Sequence, residues 1–310
     1  MLVKSLSHQQ LRNAAQYASL AIACGPTITR IFTSIPQLLK DISNIYQDYD
    51  VPDLDTTGAD VCVDMRFTSL LRKVVRPQVK GFADRPGPFA PLPPDIAFVG
   101  FEMAQNWFIA NTHNRHLMFH AACVANQEGS AVLLPGQSGS GKSTLGIAMG
   151  FRSWRYLGDE FAFFDPNRET FVAMPRPASL KNASIDVLRD WAGAERMSRI
   201  FEQTPKGRMA YMRPPADALS NAHAPARLKA VVFPKYVANQ EPTIRRLRQA
   251  EALVELTNAC VNFERLSSTA FDILSKWAVS IPCFQISYPS LESACEMVRS
   301  IQDGIKAKLS

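Results

Sequence analysis

Apolar residues recur along this chain at two spacings, every second position or every third to fourth, and the changes between them mark out its elements. Residues 6–23 carry Leu11, Ala14, Ala18 and Ile22 on one helical face until Gly25-Pro26 stops the pattern. Residues 27–34 alternate and are rich in β-branched side chains, which predicts a strand. Ser34 is placed to cap a helix with Pro36 in its first turn, running to about Tyr49 on the stripe Leu38, Leu39, Ile42, Ile45 and Tyr46. A Pro/Asp/Gly loop is expected over 51–58, then strands at 61–67 and 74–79. Residues 84–94 hold five prolines and form the clearest boundary. The pattern therefore divides the chain into a small N-terminal α/β unit, 1–92, and a larger domain, 93–310.

The larger domain opens with a predicted helix over 94–111. Two apolar runs, 117–125 and 130–134, read as buried strands joined by the turn Asn126-Gln127-Glu128-Gly129. A short helical pattern covers 144–149, and a strand over 156–164 ends at Asp165-Pro166-Asn167. A proline-rich turn over 174–182 follows, and Ser184 is placed to cap a helix carrying Ile185, Leu188 and Trp191. Residues 200–226 read as loop. Strands at 228–236, 242–248 and 282–288 then alternate with helices at 249–262, 266–280 and 290–308. This mixed order predicts an α/β fold, a sheet flanked by helices.

Composition changes little in that picture. Among 310 residues, 46% are apolar and 20% charged, as in globular proteins that bury a large core. The net charge of +6 suits an anionic ligand without requiring one. The densest basic cluster, Arg245-Arg246-Leu247-Arg248, falls on a predicted strand, and no basic run is interleaved with aromatics, so no nucleic-acid partner is expected. Cys24, Cys62, Cys123, Cys260, Cys283 and Cys295 are scattered with no C-x-x-C pair and read as reduced thiols. The N-terminus lacks a signal-peptide layout. The apolar stretch 96–110 is broken by Glu102, Gln105 and Asn106, so no membrane span is expected. A cytoplasmic location follows by elimination.

The chemistry concentrates at Gly136-Gln137-Ser138-Gly139-Ser140-Gly141-Lys142-Ser143-Thr144, a G-x-x-x-x-G-K-S loop between a predicted strand and a predicted helix. Gly136, Gly139 and Gly141 let the backbone curl so that its N–H groups converge, and the helix opening at Lys142 adds its positive end. Lys142 is expected to reach the outer phosphates of a nucleotide, and the Ser143 hydroxyl to ligate Mg²⁺. Asp159 follows Lys142 by seventeen positions. A short helix and a tight turn consume that distance, which predicts a strand returning beside the strand of the loop and a carboxylate near Mg²⁺. Asp159-Glu160 also fits an exposed acidic pair on a strand edge, although Leu157, Phe161 and Phe163 argue against full exposure.

The order is thus a strand with Phe119-His120-Ala121-Ala122, a short turn, the G-K-S loop, a short helix and an L-x-D-acid strand. It resembles the catalytic domain of HPr kinase/phosphorylase, whose P-loop core is shared with phosphoenolpyruvate carboxykinase. Residues 175–185, from Pro175-Arg176-Pro177 to Ile185, look like the "PRPxSLKNxSI" stretch of HPr kinase-related proteins. The motifs cover 117–190. The resemblance implies a P-loop kinase core of this type in 93–310, with ATP and Mg²⁺ as cofactors. It implies that Gly136, Gly141, Lys142 and Ser143 hold phosphate and metal. Asp159 and Glu160 would supply a metal contact and the base that takes a hydroxyl proton. His120 would lie beside the phosphates or be a core histidine. Arg176 and Lys181 would neutralise charge on the transferred group or be surface cations. Thr144 stands where HPr kinases usually carry Glu, and Glu160 where they carry a second Asp.

The expected activity is transfer of the γ-phosphoryl group of ATP to a hydroxyl of a protein or small-molecule acceptor. The alternatives are a nucleotide-gated regulatory protein without transfer and a carboxykinase-like enzyme. The basic segment Lys206-Gly207-Arg208, within 200–226, is expected either to form a lid that admits the acceptor or to belong to a disordered surface excursion. Self-association into a homo-oligomer stays open.

Overall fold

The computed structural model describes residues 1–17, 20–83, 87–137 and 139–307. The chain is α/β throughout and divides into two compact units. The first takes Met1–His113, Leu180–Arg189 and Gly193–Arg213, and the second takes Asn114–Ser179, Asp190–Ala192 and Pro214–Ser310. The division at His113 lies beyond the proline-rich 84–94, because the long helix after the prolines packs onto strands of the first unit.

In the first unit, helix α1 (His8–Gln16) precedes strands β1 (Ala21–Cys24) and β2 (Thr27–Thr33). Helices α2 (Pro36–Ile45) and α3 (Leu54–Thr57), strand β3 (Val61–Phe67), helix α4 (Leu71–Val74), strand β4 (Val79–Ala83) and helix α5 (Ala97–Thr112) follow. The sheet order is β1-β2-β3-β4. The helix predicted over 6–23 stops early because residues 21–24 pair with β2 across Gly25-Pro26, a tertiary gain that overrides helical spacing. At α2 the cap position is Ile35 rather than Ser34. The strand predicted at 74–79 is instead α4 and a turn through Arg76, at φ 46°, with pairing delayed to Val79. Pro77 has no N–H to give a ladder. A Cβ on Gly81 would come within 3.3 Å of Ala104 Cβ, so the glycine lets α5 lie close on the sheet.

The second unit starts with β5 (Leu117–Phe119), β6 (Ala121–Ala125) and β7 (Ser130–Pro135), then α6 (Lys142–Gly150), β8 (Arg155–Gly158), β9 (Ala162–Asp165) and β10 (Thr170–Val172). Strand β11 (Ala178–Lys181) leads to α7 (Ala183–Ala192), and from Leu180 to Arg189 and Gly193 to Arg213 the chain belongs to the first unit. Asn182 holds the cap position of α7, while the Ser184 hydroxyl closes on the backbone N–H and carbonyl of Lys181. The expected loop 200–226 is mostly regular: β12 (Phe201–Thr204), β13 (Gly207–Met212) and α8 (Ala216–Ser220), with β11-β13-β12 forming a three-stranded sheet. Gly207, at φ 84°, turns the β12–β13 hairpin. Arg208 lies 3.3 Å from Glu202 and 3.7 Å from Asp186, held among carboxylates of the first unit. The remaining elements are β14 (Arg227–Tyr236), β15 (Thr243–Arg246), α9 (Gln249–Ala259), α10 (Phe263–Ser280), β16 (Cys283–Tyr288) and α11 (Leu291–Lys306).

The large sheet runs β15-β16-β14-β7-β6-β8. Strands β7, β14 and β16 are parallel, and β6 opposes β7 and β8, so β8 points with β7. Strand β8 is therefore one place further from the glycine loop than the expected neighbour of β7, because the preceding hairpin already fills that edge. Successive β7 side chains serve opposite faces. Leu133 packs in a core with Leu256, Leu274 and Trp277 from α9 and α10. Leu134 faces α6, where a Cβ on Gly146 would lie 2.6 Å from that of Ala122. Helix α11 packs beside α6, and the result is a sheet between two helical layers.

Candidate functional site

The topology gathers the predicted site at one edge of the large sheet. The carboxyl ends of β7, β8, β14 and β16 and the amino end of β6 all fall there, the edge at which ligands bind in open α/β sheets. The loop after β7 turns sharply into α6. Gly139 and Gly141 have φ 88° and 94°, which only glycine adopts without strain. A Cβ on Gly136 would lie 2.4 Å from the Ser140 hydroxyl. Gly141 is the cap residue of α6 and carries no capping side chain, so the first amides of the helix are left for another acceptor. Lys142 is buried at 6% exposure, Ser143 and Thr144 are half-buried, and Gln137 is exposed. Ser138 lies outside the described residues.

Two predicted strands break at their candidate catalytic residues. The run 117–125 divides at His120 into β5 and β6, and the run 156–164 divides at Asp159-Glu160-Phe161 into β8 and β9. Strands β6 and β8 pair in the large sheet, while β5 and β9 pair in a three-stranded sheet ordered β10-β9-β5. Both ribbons therefore cross from one sheet to the other at the same level, and the crossing brings His120 opposite the acidic bend. Glu160 takes φ 64°, a left-handed conformation costly for a side chain of its size. Its carboxylate is 3.6 Å from His120 Nε2. This places His120 at the sheet edge, half-buried, rather than inside the core.

Asp159 is buried at 4% exposure, and neither carboxylate oxygen makes a hydrogen bond of ordinary geometry. Burial raises its pKa first, and the charge of Glu160 raises it further. Lys142, the Glu160 N–H and the Ser143 hydroxyl oppose the rise. Those opposing groups identify the neighbours of Asp159 as the lysine and serine of the glycine loop. A buried carboxylate facing a hydroxyl and an ammonium has the chemistry of an oxygen site for a hard cation. Among the described residues no cluster of three or more His, Cys, Asp or Glu is present that could hold a metal ion.

The other two predicted residues are Arg176 and Lys181. Arg176 is buried in the second unit, and its carbonyl accepts a long hydrogen bond from the Tyr156 hydroxyl at 3.5 Å. Lys181 ends β11 and belongs to the first unit.

Sequence reading did not identify Tyr236 and Tyr288, which end β14 and β16. The Tyr236 N–H donates to the Ser140 carbonyl at 3.2 Å, and the Tyr288 hydroxyl donates to the same oxygen at 3.3 Å. Burial raises the Tyr288 pKa, so the phenol stays protonated and remains a donor. Their position on the last residue of two predicted strands was the available signal. A Cβ on Gly141 would meet the Tyr288 hydroxyl at 2.2 Å. Gly141→Ala is therefore expected to displace the loop and weaken phosphate-ligand binding about tenfold, the scale of a strained left-handed residue. Adding Tyr288→Phe should recover part of that loss by removing the clashing oxygen. Calorimetric titration of both variants checks it, and an effect of Gly141→Ala unchanged by Tyr288→Phe would exclude the clash.

No protein-family profile matches this chain, and no curated protein matches it. Among solved structures it is similar to the Hpr(Ser) kinase/phosphatase from Coxiella burnetii. Identity is 12% over 62% of this chain and 97% of that chain, with a TM-score of 0.30. A likeness of that size decides neither the core type nor the chemistry of this chain.

Proposed function

We propose that the second unit binds ATP with Mg²⁺ and transfers its γ-phosphoryl group to a hydroxyl of a protein or small-molecule acceptor. The observation that carries this reading is the convergence of two features at one sheet edge. One is a glycine loop opening an uncapped helix. The other is a buried carboxylate, Asp159, whose raised pKa is opposed by Lys142 and Ser143 of that loop. Loop amides and Lys142 suit the phosphates. Ser143 and Asp159 would hold Mg²⁺, which when bound neutralises charge on the phosphate oxygens. Glu160, half-buried and paired with His120, is the better placed base for the acceptor's proton, with His120 orienting its carboxylate. Tyr288 and Tyr236 hold the loop at Ser140. The kinase assignment also draws on the motif resemblance around 117–190.

The test is incubation of the full chain and cell extract with γ-labelled ATP and Mg²⁺, followed by identification of the labelled species. Label on an acceptor hydroxyl, absent with Glu160→Gln, is the expected result. Tight ATP binding with no label transferred to any acceptor would replace the kinase reading by nucleotide-gated regulation.

A further inference from the structure

The connection between β3 and β4 presents an apolar and basic surface that the nucleotide reading does not use. Leu70, Leu71, Val74 and Val75 are 89%, 68%, 79% and 52% exposed, within one short helical turn. A chain that buries most of its large aliphatic side chains leaves four adjacent ones in water here. The turn is well formed rather than frayed. The Ser69 hydroxyl accepts from the Arg72 N–H at 3.1 Å, Val75 N–H donates to the Leu71 carbonyl at 2.8 Å, and Gln78 N–H donates to the Arg72 carbonyl at 3.0 Å. Folding thus holds the aliphatic side chains outward on an ordered knuckle.

Charge at the knuckle has one sign. Between Asp64 and Asp84 the sequence contains Arg66, Arg72, Lys73, Arg76 and Lys80 and no carboxylate. Arg66 is drawn back to Asp64 and over the Phe82 ring. Arg72, Lys73 and Arg76 make no ion pair among the described residues. Three unpaired cations therefore ring four exposed aliphatics.

We propose that this knuckle, residues 69–76, docks the protein peripherally on an anionic lipid surface. Leu70, Leu71, Val74 and Val75 would enter the headgroup–acyl boundary, while Arg72, Lys73 and Arg76 meet lipid phosphates. The occupant follows from complementarity. A second copy joined through the same patch would set cations against cations, since a two-fold interface places like surfaces together. The apolar side chains project from a convex turn, which a fluid apolar medium receives without a shaped groove. Among the described residues no helix is long and apolar enough to cross a membrane, so attachment would be at the surface.

The test is co-sedimentation of the full chain with vesicles of phosphatidylcholine and phosphatidylglycerol, and with vesicles of phosphatidylcholine alone. Binding is expected only to the anionic vesicles and should weaken as salt rises. Arg72→Glu/Lys73→Glu/Arg76→Glu should reduce it by about a hundredfold or more, the scale of three surface cations. Leu70→Ser/Leu71→Ser/Val74→Ser should also abolish it. Both variants should melt at the wild-type temperature, because the altered side chains are at the surface. The proposal is overturned if the wild type fails to pellet with anionic vesicles at low salt, or if either variant pellets like the wild type. Equal binding to the neutral vesicles would overturn it too. So would a self-associated wild type that the serine variant makes monomeric without any vesicle binding, or retention by an acidic protein without vesicle binding.

Discussion

Asp159→Asn is expected to keep the fold and most of the ATP affinity while lowering phosphoryl transfer by about 10²–10⁴-fold, the scale of losing a positioned acid–base or metal-holding group. The amide is nearly isosteric but offers one oxygen, is a poor Mg²⁺ ligand and carries no charge. The same substitution should raise the melting temperature of the ligand-free protein. Burial and the neighbouring Glu160 push the Asp159 pKa above the ordinary carboxylate range, so ionising it in the folded state is unfavourable. The sign follows from proton counting. Between the unfolded value and the raised folded value the native state holds more protons than the unfolded one, so this group's contribution falls as pH rises through that window. Asparagine removes that dependence, and the gain in melting temperature should therefore be greatest above the folded pKa and vanish in acid. Thermal melts from acidic to neutral pH, with single-turnover transfer assays, measure both effects. A variant that transfers at the wild-type rate while Glu160→Gln is dead would remove Asp159 from the cation site and leave the chemistry to Glu160. A variant that melts lower than wild type at neutral pH would mean that the carboxylate is partnered after all.

The site was more legible in the sequence than the frame around it. Gly136, Gly141, Lys142 and Ser143 are readable because their spacing is local: a strand, a loop and a helix built from consecutive residues. The apolar run 130–134 was equally plain, since a strand buried on both faces needs no alternation. What the sequence hid depends on distant pairing. Residues 21–24 join a strand rather than a helix because β2 accepts them. The runs 117–125 and 156–164 read as single strands because apolar residues resume directly after His120 and after Asp159-Glu160. The division becomes visible only when β5–β9 and β6–β8 are seen in different sheets. It is also what carries His120 and Glu160 to the sheet edge. The residues 200–226, rich in proline, concealed a hairpin whose strands are short and whose Arg208 is engaged by Glu202 and Asp186. That engagement occupies Arg208, one of the two cations expected of a basic lid there.

Lys142→Ala is expected to lower ATP affinity about ten- to a hundredfold, the equivalent of a charge-assisted hydrogen bond of about 1.5–3 kcal/mol. Its effect should extend past the phosphates. Lys142 is buried, and its charge is the leading group that holds the Asp159 pKa down. Without it, burial and Glu160 act on Asp159 nearly unopposed, and the carboxyl keeps its proton to higher pH. Mg²⁺-dependent ATP binding by Lys142→Ala should then recover partly as pH rises, while the wild type is flatter over the same range. The two residues should also be coupled: Lys142→Ala/Asp159→Asn should lose less than the sum of the single losses, because without Lys142 the Asp159 carboxyl already keeps its proton and its replacement removes less. Calorimetric titration of ATP into the four proteins at two pH values supplies both tests. Unchanged affinity in a folded Lys142→Ala protein would remove the phosphate-binding role of the loop. Strictly additive losses would mean that Lys142 and Asp159 act on the ligand independently, and that the carboxylate is not part of the same cation-binding arrangement.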